Sequence, residues 1–111
     1  MRTIMVGLYF NTRDAHDATH GLQQQDIQGS NVELRDLETV LPGQPKEIIR
    51  IVMVAVHPRQ PGDLVIAAQV LHQYHPWRVV RVGATWRDGH WIDFSPATLV
   101  HACPISPSPH G

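Results

Sequence analysis

The sequence predicts an α+β domain in which two helices cover one face of an antiparallel sheet. Three observations predict it. Thr3–Phe10 and Glu47–His57 are dense in strand-forming residues. A stretch with helical apolar spacing follows each of them, the first built on Ala15, Ala18 and Leu22, the second on Leu64, Ala67, Ala68, Leu71 and Tyr74. Asp88-Gly89, flanked by Trp86 and Trp91, is the strongest hairpin signal in the chain.

In order, Thr3–Phe10 alternates, with Ile4, Val6, Leu8 and Phe10 on one face of a strand. Asn11 or Thr12 can cap the following helix, and Asp14 in its first turn suits the helix dipole. Ile27 is expected to plug the helix end, and Gly29-Ser30 turns the chain. Val32–Asp36 reads as a short second strand, and Leu37–Pro45, with Pro42-Gly43 and Pro45, as a connector. Glu47–His57 reads as a central strand buried on both faces, ended by Pro58. Asp63 is the natural cap of the second helix, which Pro76 stops. Trp77–Trp86 is a fourth strand, and Trp91–Phe94 an added hairpin strand, with Trp86 opposite Trp91 and Arg87 opposite His90. The simplest arrangement of β-α-β-β-α-β with right-handed crossovers is the ferredoxin-like sandwich. Residues 1–95 form that single domain. The prolines at 96, 104, 107 and 109 make residues 96–111 a loose tail.

Composition sets limits on function. A net charge of −1 gives no general field to draw nucleic acid or an anionic membrane. The lone Cys103 cannot form an internal disulfide, and no apolar run is long enough to span a bilayer. The expected setting is the cytoplasm.

The run VGLYFNTRDAHDATHGLQQQDIQGSNVELRD resembles the opening of the general stress protein 17M-like, or heat-induced stress protein, family. Shared are the strand running into an aromatic, the polar turn, helix positions like Ala15, Ala18 and Leu22, and a short strand like Val32-Glu33-Leu34. The likeness continues more loosely through Ile51–Val56, Ala67, Ala68, Leu71 and Val79-Val80, so it covers most of residues 3–82. It rests on packing positions. It implies a ferredoxin-like fold and stress-associated expression, and brings no catalytic residues with it.

Chemistry-bearing residues give little. His16 and His20 stand at i, i+4 on the first helix and His72 and His75 at i, i+3 on the second. Helical-wheel geometry sets the two pairs on flanks that point apart, and there is no HExxH or CxxC, so no metal or cofactor is expected. The central strand lacks the aromatics of an RNA-recognition sheet. Cys103 has no helix start nearby to lower its thiol pKa. Ser95-Pro96 reads as a turn.

The sheet's second face is the informative feature. Ile49, Ile51, Met53 and Ala55 share one side of the central strand, Val52, Val54 and Val56 the other. One set meets the helices and the other needs a cover. Tyr9, Trp77, Val79, Arg81, Ile92 and Phe94 are the residues expected on that second face, as an interface or a pocket. A homodimer is the favoured cover. The alternatives are a cavity between two sheets and the C-terminal segment Leu99–Ile105. The expected function is a non-catalytic stress-associated or regulatory module acting by self-association or by binding a protein partner. The alternative is a small-molecule-binding enzyme of the dimeric α+β-barrel type, with Tyr9, His57, Arg81 or Trp77 lining its cavity.

Overall fold

In chain order the elements are β1 (Arg2–Tyr9), α1 (Thr12–Gln24), β2 (Val32–Leu41), β3 (Gln44–Val56), α2 (Gly62–Gln73), β4 (Arg78–Ala84), β5 (Trp86–Arg87), β6 (His90–Trp91) and α3 (Pro96–His101). The computed structural model describes residues 2–27, 31–41, 43–88, 90–92 and 95–105. The main sheet is antiparallel throughout, in the order β2-β3-β1-β4. With α1 and α2 on one face, the arrangement is α+β and compatible with the expected ferredoxin-like sandwich.

Two cores sandwich the sheet. Beneath α1 and α2 lie Met5, Tyr9, Val52, Val54, Val56 and Val79, packed against Ala15, Ala18, Leu22, Ala67, Val70 and Leu71. On the other face Ile4, Val6, Leu8, Ile51, Met53, Ala55 and Val80 pack with Leu99 and Val100 of α3. Both faces of Ile4–Tyr9 and Ile51–Val56 are therefore dry, which is why these stretches are apolar without interruption.

Each main helix has a readable boundary. Asn11 caps α1 by accepting from the Asp14 amide at 2.8 Å. At the other end Ile27 N–H donates to Leu22 O and Asp26 N–H to Gln23 O, with Asp26 at φ 63°. This is a Schellman closure in which the buried Ile27 covers the last turn. Two close approaches join helices to sheet and to each other. A Cβ on Gly7 would lie 2.9 Å from the Tyr9 ring, and one on Gly21 would lie 2.8 Å from the Tyr74 hydroxyl. Glycine at these positions leaves room for two tyrosines.

Several expectations are corrected. β2 does not end at Asp36, and Leu37–Pro45 is no connector. The pairing runs on from Leu37↔Ile51 to Val40↔Ile48, and Gly43, at φ 83°, sits in the turn of one long hairpin. Pro45 is tolerated because β3 before Val52 has β2 alone as its strand partner, so one of its edges needs no donor. Asp63 is not the N-cap of α2. That position is Pro61, without a side-chain cap, and Asp63 lies inside the first turn, accepting from the Arg59 amide at 3.0 Å. The hairpin register Trp86↔Trp91 and Arg87↔His90 is as expected, but β5 and β6 form a separate two-stranded sheet rather than a fifth strand of the main one.

The residues from 96 onward do not begin as a loose tail. Ser95 caps α3 through the Thr98 amide at 3.3 Å, and Pro96 occupies the first turn, where its missing N–H is harmless. The prolines at 107 and 109 lie outside the described residues.

Candidate functional site

The expected interface set divides between the two faces. Tyr9 and Val79 lie under the helices, and Arg81, paired with Met5, points to that same side and is exposed. Both alternating sets of β1 and β3 are apolar, so alternation separated the faces without saying which one meets the helices. Trp77 does border the second-face core, Ile92 is 53% exposed beside the small hairpin, and Phe94 lies outside the described residues.

Tyr9 is structural. Its hydroxyl donates to Leu71 O at 2.7 Å, satisfying a carbonyl in the last turn of α2. Burial, reinforced by the Asp14 carboxylate and Tyr74, holds this phenol in its neutral form, far above the ordinary tyrosine value. His57 is likewise engaged. Its ring stacks on Trp86 with centroids 5.1 Å apart, and Arg2 Nη1 donates to its Nε2 at 3.2 Å. Because a guanidinium can only donate, the ring proton sits on Nδ1, facing Asn31 Oδ1 at 3.4 Å. Burial and then the Arg2 charge lower its pKa below the usual histidine value.

His16, His20 and His75 are exposed, while His72 is half-buried and held by Ala68 O and Ile105 O. Among the described residues no three or more His, Cys, Asp or Glu side chains are grouped to hold a metal. Cys103 is exposed. No helix of the described residues is long and apolar enough to cross a membrane.

The surface that remains is built by the β2–β3 hairpin. β1 pairs β3 only from Val56 back to Val52, so past Leu37 and Ile51, which are buried in the second-face core, residues 38–41 and 44–50 extend as a two-stranded arm beyond the end of β1. Near its tip Val40 faces Ile48, and Ile48 is 72% exposed. Lower down, Glu38 and Arg50 form a solvent-exposed ion pair at 3.3 Å, which adds little stability. Between the arm and the start of α1 runs a cavity of about 600 Å³, lined by Phe10, Asn11, Asp36, Leu37, Glu38 and Arg50 among others. Phe10 is 54% exposed at its mouth and packs on Trp77 at 5.3 Å between centroids. The Arg78 guanidinium lies 4.8 Å from the Trp77 ring centroid.

The arm was missed at the sequence level because Pro42-Gly43 looks like a break. Strand-forming Thr39-Val40-Leu41 before it and Ile48-Ile49 after it were the available signal of a hairpin. Comparison with family models, with curated proteins and with solved structures returns no match for this chain.

Proposed function

We propose that this protein is a non-catalytic module that works by self-association, with the β2–β3 arm as its contact surface. The observation that carries the reading is the exposed apolar tip, Ile48 opposite Val40, on a hairpin that extends beyond the sheet's other strands. The two edges of the sheet support it by their difference. The outer edge of β4 is engaged by the chain's own Pro104 and Ile105, whereas β2 is a terminal strand with no further strand beside it among the described residues. Glu33, Arg35, Asp36 and Glu38 discourage pairing along most of β2, a common protection of edge strands. Along β2 charge ends at Glu38, which leaves the uncharged Thr39-Val40-Leu41 edge near the tip for contact, with Lys46 and Glu47 of β3 flanking it. An antiparallel meeting of two such tips is isologous and closes on itself as a dimer. A stress-associated role rests on the resemblance of residues 3–82 to the stress protein family.

The enzyme alternative requires an open second face to enclose a pocket between two sheets. Leu99 and Val100 occupy that face, which withdraws its support.

Multi-angle light scattering tests the reading. The expected result is a dimer for the unaltered protein and a monomer, with unchanged melting temperature, for Ile48→Glu. A monomeric unaltered protein at tens of micromolar, on the order of ordinary transient affinities, overturns it.

A further inference from the structure

The C-terminal residues after α3 wrap the β4 edge as a strap. Ala102 packs with the second-face core, Pro104 bridges to Val80, and Ile105 packs with the helix-side core. Three contacts hold it: Arg78 Nη1 donates to Ala102 O at 2.9 Å, Ile105 N–H donates to Val79 O at 2.7 Å, and His72 meets Ile105 O. The last contact is chemically unusual. His72 Nε2 is 2.9 Å from Ile105 O, and its Nδ1 is 2.7 Å from Ala68 O. Both partners are carbonyl oxygens, which only accept. A neutral imidazole has one N–H, so it can satisfy one of the two and must turn a lone pair toward the other. The imidazolium donates to both.

We infer that His72 is a proton-dependent clasp for this strap: the charged ring donates to Ala68 O and Ile105 O at once, whereas the neutral ring holds the strap only by giving up its bond within α2, so neutralising it loosens the segment. The charged or titratable groups lining the same cavity are Arg78 on β4 and His75 just past α2. Cys103 on the strap is exposed. Because the strap follows directly on α3, its docking bears on the cover of the second sheet face. The bond count is higher when the ring is protonated, so the strap docks more tightly on the charged ring than on the neutral one.

Amide hydrogen exchange of the full chain tests this at the Ile105 N–H. Its protection factor, which removes the intrinsic pH dependence of exchange, is expected to fall roughly tenfold between about pH 5.5 and about pH 8. His72→Gln should abolish that dependence, and His75→Gln should preserve it. At the acidic end, nitrogen NMR of the unaltered protein should show N–H character on both ring nitrogens of His72. Equal protection across the interval, a dependence that survives His72→Gln, or its loss in His75→Gln overturns the inference.

Discussion

The hydroxyl of Tyr9 ties the first strand to the last turn of α2, and the space for its ring exists because position 7 has no side chain. Removing that hydroxyl leaves Leu71 O, among the described residues, with the long 3.5 Å contact from the Tyr74 amide. Tyr9→Phe is therefore expected to lose about 1–2 kcal/mol, measured as a lower denaturation midpoint at unchanged slope. An unaffected midpoint would mean that the bond is not formed in solution. Asp63 is the other single residue with a large duty. It is a buried carboxylate at the start of α2 whose partners are the amide and guanidinium of Arg59, the latter at 3.5 Å. Burial alone pushes its carboxyl up. The Arg59 amide, the Arg59 charge and Gln60 outweigh it, so the folded value lies below the usual one. A carboxylate lowered on folding stabilises above the unfolded value, near 3.9, and that contribution is lost as pH falls through the folded value. The stability gap between the unaltered protein and Asp63→Asn should accordingly be full at neutral pH and close on acidification. Thermal melts across that range check it, and a gap that widens in acid contradicts the sign.

At the scale of elements, legibility depended on whether local chemistry and burial pointed the same way. α1 was readable end to end, because Asn11, Asp14, the Ala15-Ala18-Leu22 stripe and Ile27 all agree. α3 was not, though Ser95-Pro96 followed by Thr98-Leu99-Val100 carries both a cap and an N-terminal proline. Its six residues are too few to show a helical period, and the surrounding prolines dominate the composition. The C-terminal segment had been one of three candidate covers for the second face, and it is the one found. What it covers sets the size of its contribution. Leu99 is fully buried against the sheet, so Leu99→Ala should cost about 2–5 kcal/mol in chemical denaturation. A cost within ±0.5 kcal/mol, the ordinary range of surface changes, would show that α3 does not dock. β2 and β3 failed to read as one hairpin for a different reason. Turn residues between strand-forming runs signal either a break or a reversal, and only pairing decides between them.

For the whole molecule, the sequence-level reading of a sheet with helices on one face and an apolar second face survives, with Tyr9, Val79 and Arg81 on the helix side instead of the second face. No local pattern could have settled which side met the helices. Val52-Val54-Val56 and Ile51-Met53-Ala55 are equally apolar because both end up dry. The proposed contact surface was even less visible. An arm is defined by where neighbouring strands stop, and β1 stops pairing with β3 at Tyr9↔Val52 while β2 continues. That is a property of three strands at once. The histidines illustrate the converse. Their spacing drew attention to a shared metal, yet His72 contacts the backbone carbonyls of Ala68 and Ile105, which no side-chain motif records.

The strand order also governs how this chain reaches its fold. β1 is an interior strand, and its neighbours come late: Met5 pairs with Val56 on one side and with Arg81 on the other. During synthesis β1 therefore leaves the ribosome well before either partner, and its apolar residues wait for both. Sheet assembly cannot be completed by local zipping, and loop closure must precede most of the stabilising contacts. The early partnership available without β1 is the β2–β3 hairpin, joined by a tight turn. The same arm that protrudes from the finished molecule is thus the piece able to form first, and β1 docks onto the inner half of β3 once that template exists.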